Sequence, residues 1–213
     1  MFIHRLLQES DLDTIQALQH DVCAALEDPN TLQPLSEQEL LHILGGNGVM
    51  LGVFVEDSLV AFRALLKPGA DEEEHLGLDV GAGDLSRVLY QEISNVHPSY
   101  RGHGLQKLMA GWIMKEVDAR DIDWVCATVM PYNIASLKDK FAQGMYIYAL
   151  KFKYGGKLRY VFGKNLGRPH QFGGEQIAVP MGNTDEQQRL LKEGFIGISM
   201  EIQDEDWFVL YRR

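Results

Sequence analysis

Glu92 to Lys107 reads EISNVHPSYRGHGLQK. A β-prone run stops at Pro98, and the turn Arg101-Gly102-His103-Gly104 opens into an amphipathic helix. A strand that feeds a glycine-rich turn at a helix start presents several backbone N–H groups in one direction. The helix start itself carries a partial positive charge, so the whole is suited to holding phosphates. Glycine suits such a turn because it admits backbone conformations closed to other residues and brings no Cβ against a ligand. The stretch predicts an α/β chain that binds a phosphate-bearing cofactor or substrate.

The rest of the composition narrows the class. A chain of 213 residues, 46% hydrophobic, can bury one sizeable core without a disulfide or metal staple. Its formal charge is −10, from 20 basic and 30 acidic residues. General nucleic-acid binding relies on clustered Lys and Arg, so that class is excluded and any anion must be held by local geometry. The acidic balance suits a cationic or neutral substrate. Cys23 and Cys126 are far apart and no Cys/His ligand spacing exists, so neither a disulfide framework nor a metal site is expected. The N-terminal MFIHRLLQESDLD lacks a basic-then-apolar leader, and no apolar run approaches the roughly 20 residues of a membrane helix. A soluble cytoplasmic protein is the expectation.

Around the opening stretch, periodicity predicts the other elements. Phe2 to Gln8 is a first strand, and Ser10-Asp11 offers a cap for a helix carrying Leu12, Ile15, Leu18, Gln19 and Val22. Ser36-Glu37-Gln38-Glu39 reads as a capping box before a second helix that ends at Gly45-Gly46. Val49 to Val55 and Leu59 to Leu66 form a hairpin about Glu56-Asp57-Ser58, followed by an acidic, glycine-rich loop to Asp84. Leu85 to Val96 is the strand entering the turn, and Leu105, Leu108, Met109, Trp112 and Ile113 make one face of the helix after it. Trp124 to Val129 is an apolar, doubly buried strand, then Pro131 to Gly144 makes a turn and helix. Met145 to Tyr154 and Lys157 to Leu166 flank Gly155-Gly156 as a long hairpin. Gly167-Arg168-Pro169-His170 marks a boundary, dividing the chain into residues 1–166 and a C-terminal α+β extension, 167–213. The extension carries strands near 175–179, 195–202 and 207–211 and a helix near 184–193. No internal repeat is evident.

Arg101-x-x-Gly104-x-Gln106, preceded by Val96-His97-Pro98, resembles the coenzyme A pyrophosphate loop of the GNAT superfamily of N-acetyltransferases. The element order over residues 1–166 is similar to the GNAT core as well. The resemblance implies a mixed, mostly antiparallel sheet flanked by helices, with acetyl-CoA as co-substrate and no metal. It gives the amides of Gly102, His103, Gly104, Leu105 and Gln106 to the pyrophosphate, with Arg101 orienting the loop or pairing with a phosphate. The family has Gly or Ala where this chain has Gln106, whose bulk narrows the approach or whose amide adds a donor. Asn133-x-x-Ser136 followed by Gly144 resembles the second cofactor segment, in which the Asn bonds the pantetheine arm; an ordinary helix cap is the plain alternative. Seven residues beyond that Asn, many members place a Tyr that protonates the leaving thiolate. Here the position is Lys140, so the general acid is open.

The chemistry implied is direct attack of a primary amine on the thioester. An amine of ordinary basicity must lose a proton first, and a strand-end carboxylate is a suitable general base. Glu92 is the candidate, placed by alternation on one face with Ser94 and Val96; an edge carboxylate facing water is the equal alternative. The Val96 N–H is the expected polariser of the thioester carbonyl. Asn95 lines the substrate side or bonds a loop, and His97 sits at the turn in contact with solvent. Cys126, in the apolar run WVCATV, reads as a buried thiol. The acidic run Asp71 to Glu74 either attracts cationic amines or is a solvated charge run. The partner the resemblance implies is an amine, with a small molecule favoured and a peptide or protein amine as the alternative, and with no nucleic acid or membrane. The extension either lengthens the sheet, covers the substrate cleft or makes a homodimer contact. The rival reading is a coenzyme A-binding sensor without turnover.

Overall fold

The computed structural model describes residues 1–28, 31–118 and 120–213. In chain order the elements are β1 (Ile3–Leu6), α1 (Leu12–Ala24), α2 (Glu37–His42), β2 (Gly48–Val55), β3 (Ser58–Leu66) and α3 (Leu76–Asp79). Then come β4 (Val88–Val96), α4 (Leu105–Ile113), β5 (Trp124–Val129), α5 (Ile134–Ala142), β6 (Tyr146–Lys153) and β7 (Lys157–Asn165). The C-terminal part adds β8 (Ile177–Pro180), α6 (Thr184–Lys192), β9 (Ile196–Gln203) and β10 (Asp206–Arg212). These form two compact units, Met1–Pro68 with Leu89–Asp118, and Gly69–Val88 with Ala119–Arg213.

In the first unit β1, β2, β3 and β4 lie side by side, each antiparallel to the next. Phe62, Ala64, Met50 and Ile93 point to one face and bury Ile15, Leu18 and Val22 of α1 with Leu40 of α2. Truncating one such residue to Ala costs about 2–5 kcal/mol, so the helical stripe of α1 fixes that layer. α2 starts as its sequence requires: Glu39 N–H donates to Ser36 Oγ (3.3 Å), and Ser36 N–H to Glu39 Oε2 (2.7 Å). The cap expected of Asp11 on α1 is not made. Its carboxylate instead takes the Gln8 N–H (2.8 Å) and both ends of the Arg5 guanidinium. On α4, Leu105, Met109, Ala110 and Ile113 are buried, but Leu108 is 41% exposed. Ala110 takes the buried position that the apolar pattern assigns to Leu108.

In the second unit the strands lie in the order β5, β7, β6, β9, β10, β8. Strand pairs β5–β7, β7–β6, β6–β9, β9–β10 and β10–β8 are all antiparallel. The extension therefore lengthens the sheet, because β9 pairs with β6. Ahead of β5, Arg87 makes a two-pronged ion pair with Asp123 (2.8 and 2.9 Å). The acidic loop is partly neutralised: buried Lys153 bonds Glu74 O (2.9 Å) and pairs with Asp79 (3.2 Å), which Lys151 also contacts. The first residues of the expected strand 85–96 form a short 3-10 turn, Leu85–Arg87, because Asp84 Oδ1 caps the Ser86 N–H (2.9 Å).

Candidate functional site

The phosphate turn is built as its composition demands. Pro98–Tyr100 makes one 3-10 turn, capped by His97 Nδ1 on the Ser99 N–H (3.2 Å). Gly102 and Gly104 follow at φ +81° and +71°, conformations an L side chain rarely takes. A Cβ on either would meet no atom of the chain within 4 Å. The need for glycine is thus conformational as far as the chain itself goes, and the space beside both backbones is open.

The Arg101 N–H is used by Pro98 O (3.3 Å). Among the described residues, no chain acceptor takes the N–H groups of Gly102, His103, Gly104, Leu105 or Gln106. The last of these begin α4, where first-turn amides have no intrahelical partner. Arg101 and His103 are exposed, Leu105 is buried and anchors the helix, and Gln106 is half-buried. Beneath the turn an aromatic group braces it: Phe2 packs edge-on to Tyr100 (6.3 Å) and His103 (5.8 Å), and His97 to Tyr100 (5.9 Å). No sequence signal ties Phe2 to a turn a hundred residues on.

β4 enters this turn through a β-bulge. Ile93 lies opposite Ala64 and Gln91 opposite Leu65, so Glu92 is the extra residue. The bulge breaks the alternation expected for Glu92, Ser94 and Val96. Ser94 stands opposite Arg63, while Glu92 lines a cavity of ≈ 440 Å³ with Leu35, Ile43 and Leu66, on the face that packs α1 and α2. Ser36, Gln38, Glu39 and His42 complete the cavity wall. It has an apolar floor, two carboxylates and an imidazole. Glu92 is legible in the sequence, but its cavity partners are not, since they become neighbours only through the bulge and the α2 capping box.

The end of β4 is set by the ladder. His97 N–H donates to Val60 O (2.9 Å), and hydrogen-bonded and non-bonded pairs alternate along antiparallel strands. Val96, opposite Ala61, is therefore a non-bonded pair whose N–H points away from β3. Asn95 is 1% exposed, and neither atom of its amide has a partner among the described residues. It neither lines an open surface nor bonds a loop. Arg63, also 1% exposed, is a buried cation that no sequence signal singles out inside its apolar run.

The second unit holds the other predicted segment. Asn133 is the N-cap of α5, its Oδ1 accepting the Ser136 N–H (3.2 Å). Both residues thus make the ordinary cap. Gly144 ends the helix at φ +70°. Lys140 is buried and ion-paired with Asp139 (3.1 Å). Tyr146 and Tyr148 pack against Phe172 and Trp124, and burial pushes the Tyr148 phenol up to about 12. Tyr132 is 57% exposed. Burial pushes the Cys126 thiol far up, so it is no nucleophile.

Solved structures share the fold that carries this turn. One is the ribosomal-protein-S18-alanine N-acetyltransferase from Escherichia coli, at 15% identity and TM-score 0.56, covering 82% of this chain and 97% of that one. Another is Arabidopsis thaliana NAA60 in complex with acetyl-CoA, at 16% identity and TM-score 0.59, covering 79% and 100%. A GNAT-family acetyltransferase from Streptococcus pneumoniae gives 15% identity and TM-score 0.58, covering 78% and 100%. The chain has the GNAT fold. No family model and no curated protein sequence matches it. The GNAT neighbours are covered nearly whole, so part of this chain has no counterpart in them. Among the described residues no His, Cys, Asp and Glu cluster has the form of a metal site, and no helix is long and apolar enough to cross a membrane.

Proposed function

We propose that this protein is an acetyl-CoA-dependent N-acetyltransferase acting on a primary amine, a small molecule in the favoured form of this reading and a peptide or protein amine in its alternative. The observation that carries the reading is the run of unclaimed N–H groups from Gly102 to Gln106, held by positive-φ glycines at the start of α4. In this reading those amides take the pyrophosphate of the donor, Arg101 adds charge, and Gln106 contributes its own main-chain N–H. Asn133 and Ser136 serve the pantetheine arm in addition to capping α5.

The Val96 N–H, unused by β3, polarises the thioester carbonyl as negative charge builds on its oxygen. The acceptor amine lies in the cavity beside Glu92. Its nitrogen lone pair attacks the carbonyl carbon, the C–S bond breaks, and the thiolate leaves with the bonding pair. Glu92, directly or through water, takes the proton that the amine sheds. The thiolate is stable enough to leave without a strong acid.

A second reading, a coenzyme A-binding sensor without turnover, is favoured by one observation: Lys140 stands where many GNAT enzymes place the acid and is tied to Asp139. Thiol release from acetyl-CoA with a panel of amines, run beside calorimetry for coenzyme A and ADP, separates the readings. The enzyme reading requires amine-dependent release and preference for coenzyme A over ADP. Binding without release on any amine supports the sensor, and equal binding of ADP defeats both.

A further inference from the structure

The extension is a second copy of the segment before it. Strand β5, the turn to α5, α5 itself, β6, its hairpin and β7 reappear as β8, α6, β9 and β10. Equivalent positions lie fifty apart: Asn133 and Asn183 cap the two helices, taking the N–H of Ser136 (3.2 Å) and Glu186 (3.3 Å). Gly144 and Gly194 end them at φ +70° and +86°. Main-chain bonds repeat one for one, Asn133 N–H to Met130 O against Asn183 N–H to Pro180 O, and Met145 N–H to Lys140 O against Phe195 N–H to Leu190 O. Side chains have diverged almost completely, which is why the sequence shows no repeat; Val129 with Val179 and the paired Asn and Gly are the coincidences.

The two copies are related as two subunits of a symmetric dimer would be. β6 and β9 are equivalent strands, and they pair antiparallel with Ile147 opposite Gly197, the same repeat position facing itself. Read in repeat terms, the strand order β5, β7, β6, β9, β10, β8 is the same from either end. Contacts cross the seam from equivalent places. The Lys138 ammonium lies 5.2 Å over the Trp207 ring, and its counterpart Gln188 bonds Leu150 O (2.9 Å). The equivalent turns also meet, Tyr132 N–H against Met181 Sδ (3.2 Å). Buried Gln187 joins the copies, its Oε1 accepting from Tyr160 (2.7 Å) and Tyr211 (2.9 Å).

We infer that residues 177–213 serve as a built-in partner subunit, and that the protein is consequently a monomer in solution. An unpaired strand edge is a template for another chain, and a self-complementary edge about a two-fold is how identical subunits join. Here the chain covers its own β6 edge with its own copy of β6. The copy is not a second ligand site. Thr184-Asp185-Glu186 replaces Ile134-Ala135-Ser136 in the first helical turn, and two carboxylates there repel the anions that a helix N-terminus otherwise attracts. This inference stands independently of the acyl-transfer reading.

The test has two arms on the full chain. Light scattering from micromolar to near-millimolar protein is expected to give the mass of one chain throughout; a two-chain mass overturns the inference. In a Cys23→Ser background, Ile147→Cys with Gly197→Cys places two thiols at the seam, where a Cβ on Gly197 lies 2.9 Å from Ile147 Cβ before relaxation. Mild oxidation is expected to give an intrachain disulfide with single-chain mobility. Folded protein that forms an interchain disulfide, or none, overturns it.

Discussion

Replacing Gly104 with Ala isolates the phosphate turn. At φ +71° an Ala pays the left-handed penalty, about 1 kcal/mol, and its Cβ meets no atom of the chain within 4 Å. The stability loss is therefore conformational alone, a fall of about 2–4 °C in Tm for a chain of this size. The added methyl does enter the open space where the pyrophosphate is to lie. One charge-assisted hydrogen bond lost there is about 1.5–3 kcal/mol, or roughly a 10- to 150-fold rise in KM for acetyl-CoA. Gly155→Ala is the matched control, since Gly155 sits at φ +75° with nothing within 4 Å, in the β6–β7 hairpin. Thermal melts are expected to fall alike for both variants, and steady-state kinetics to change only for Gly104→Ala. Equal KM for acetyl-CoA in the two variants would refute the assignment of the turn.

Glu92→Gln is expected to lower kcat at neutral pH by about 10²- to 10⁴-fold and leave KM for acetyl-CoA nearly intact; an unchanged pH–rate profile removes Glu92 as base. Asp79→Asn leaves Lys153 buried beside a neutral amide and is expected to cost about 3–5 kcal/mol in urea unfolding; a loss below about 1 kcal/mol contradicts the buried pairing. Acid stability follows the carboxylates: hydrogen bonds from Arg5 and Arg87 hold Asp11 and Asp123 below their usual range. Their contribution is present above the unfolded value near 4 and is lost as pH falls through the lowered folded values, which an acid titration by circular dichroism reads. At the other end, burial raises Tyr148 to about 12, so its contribution, whole below pH 10, is lost as pH rises toward about 12.

Local chemistry was legible in the sequence because it is local. The Ser36–Glu39 box, the glycine turn at 101–104, the hairpin about Glu56 and the caps at Asn133 and Gly144 each depend on a few adjacent residues, and each stands where the pattern puts it. Register was not legible. The bulge at Glu92 depends on how β4 meets β3, and it moves that carboxylate to the other face from Ser94. Periodicity alone ranked Leu108 above Ala110, since it weighs side-chain size and not how closely α4 approaches the strands. The duplication was hidden because turns and caps kept their geometry while the side chains between them changed.

Backbone amide resonances followed during titration with acetyl-CoA show whether the phosphate turn holds the donor. Gly102 through Gln106 and Val96 are expected to shift together, saturating at one affinity, and to gain protection from exchange. Acetyl-CoA that binds while those resonances stay in place would contradict it.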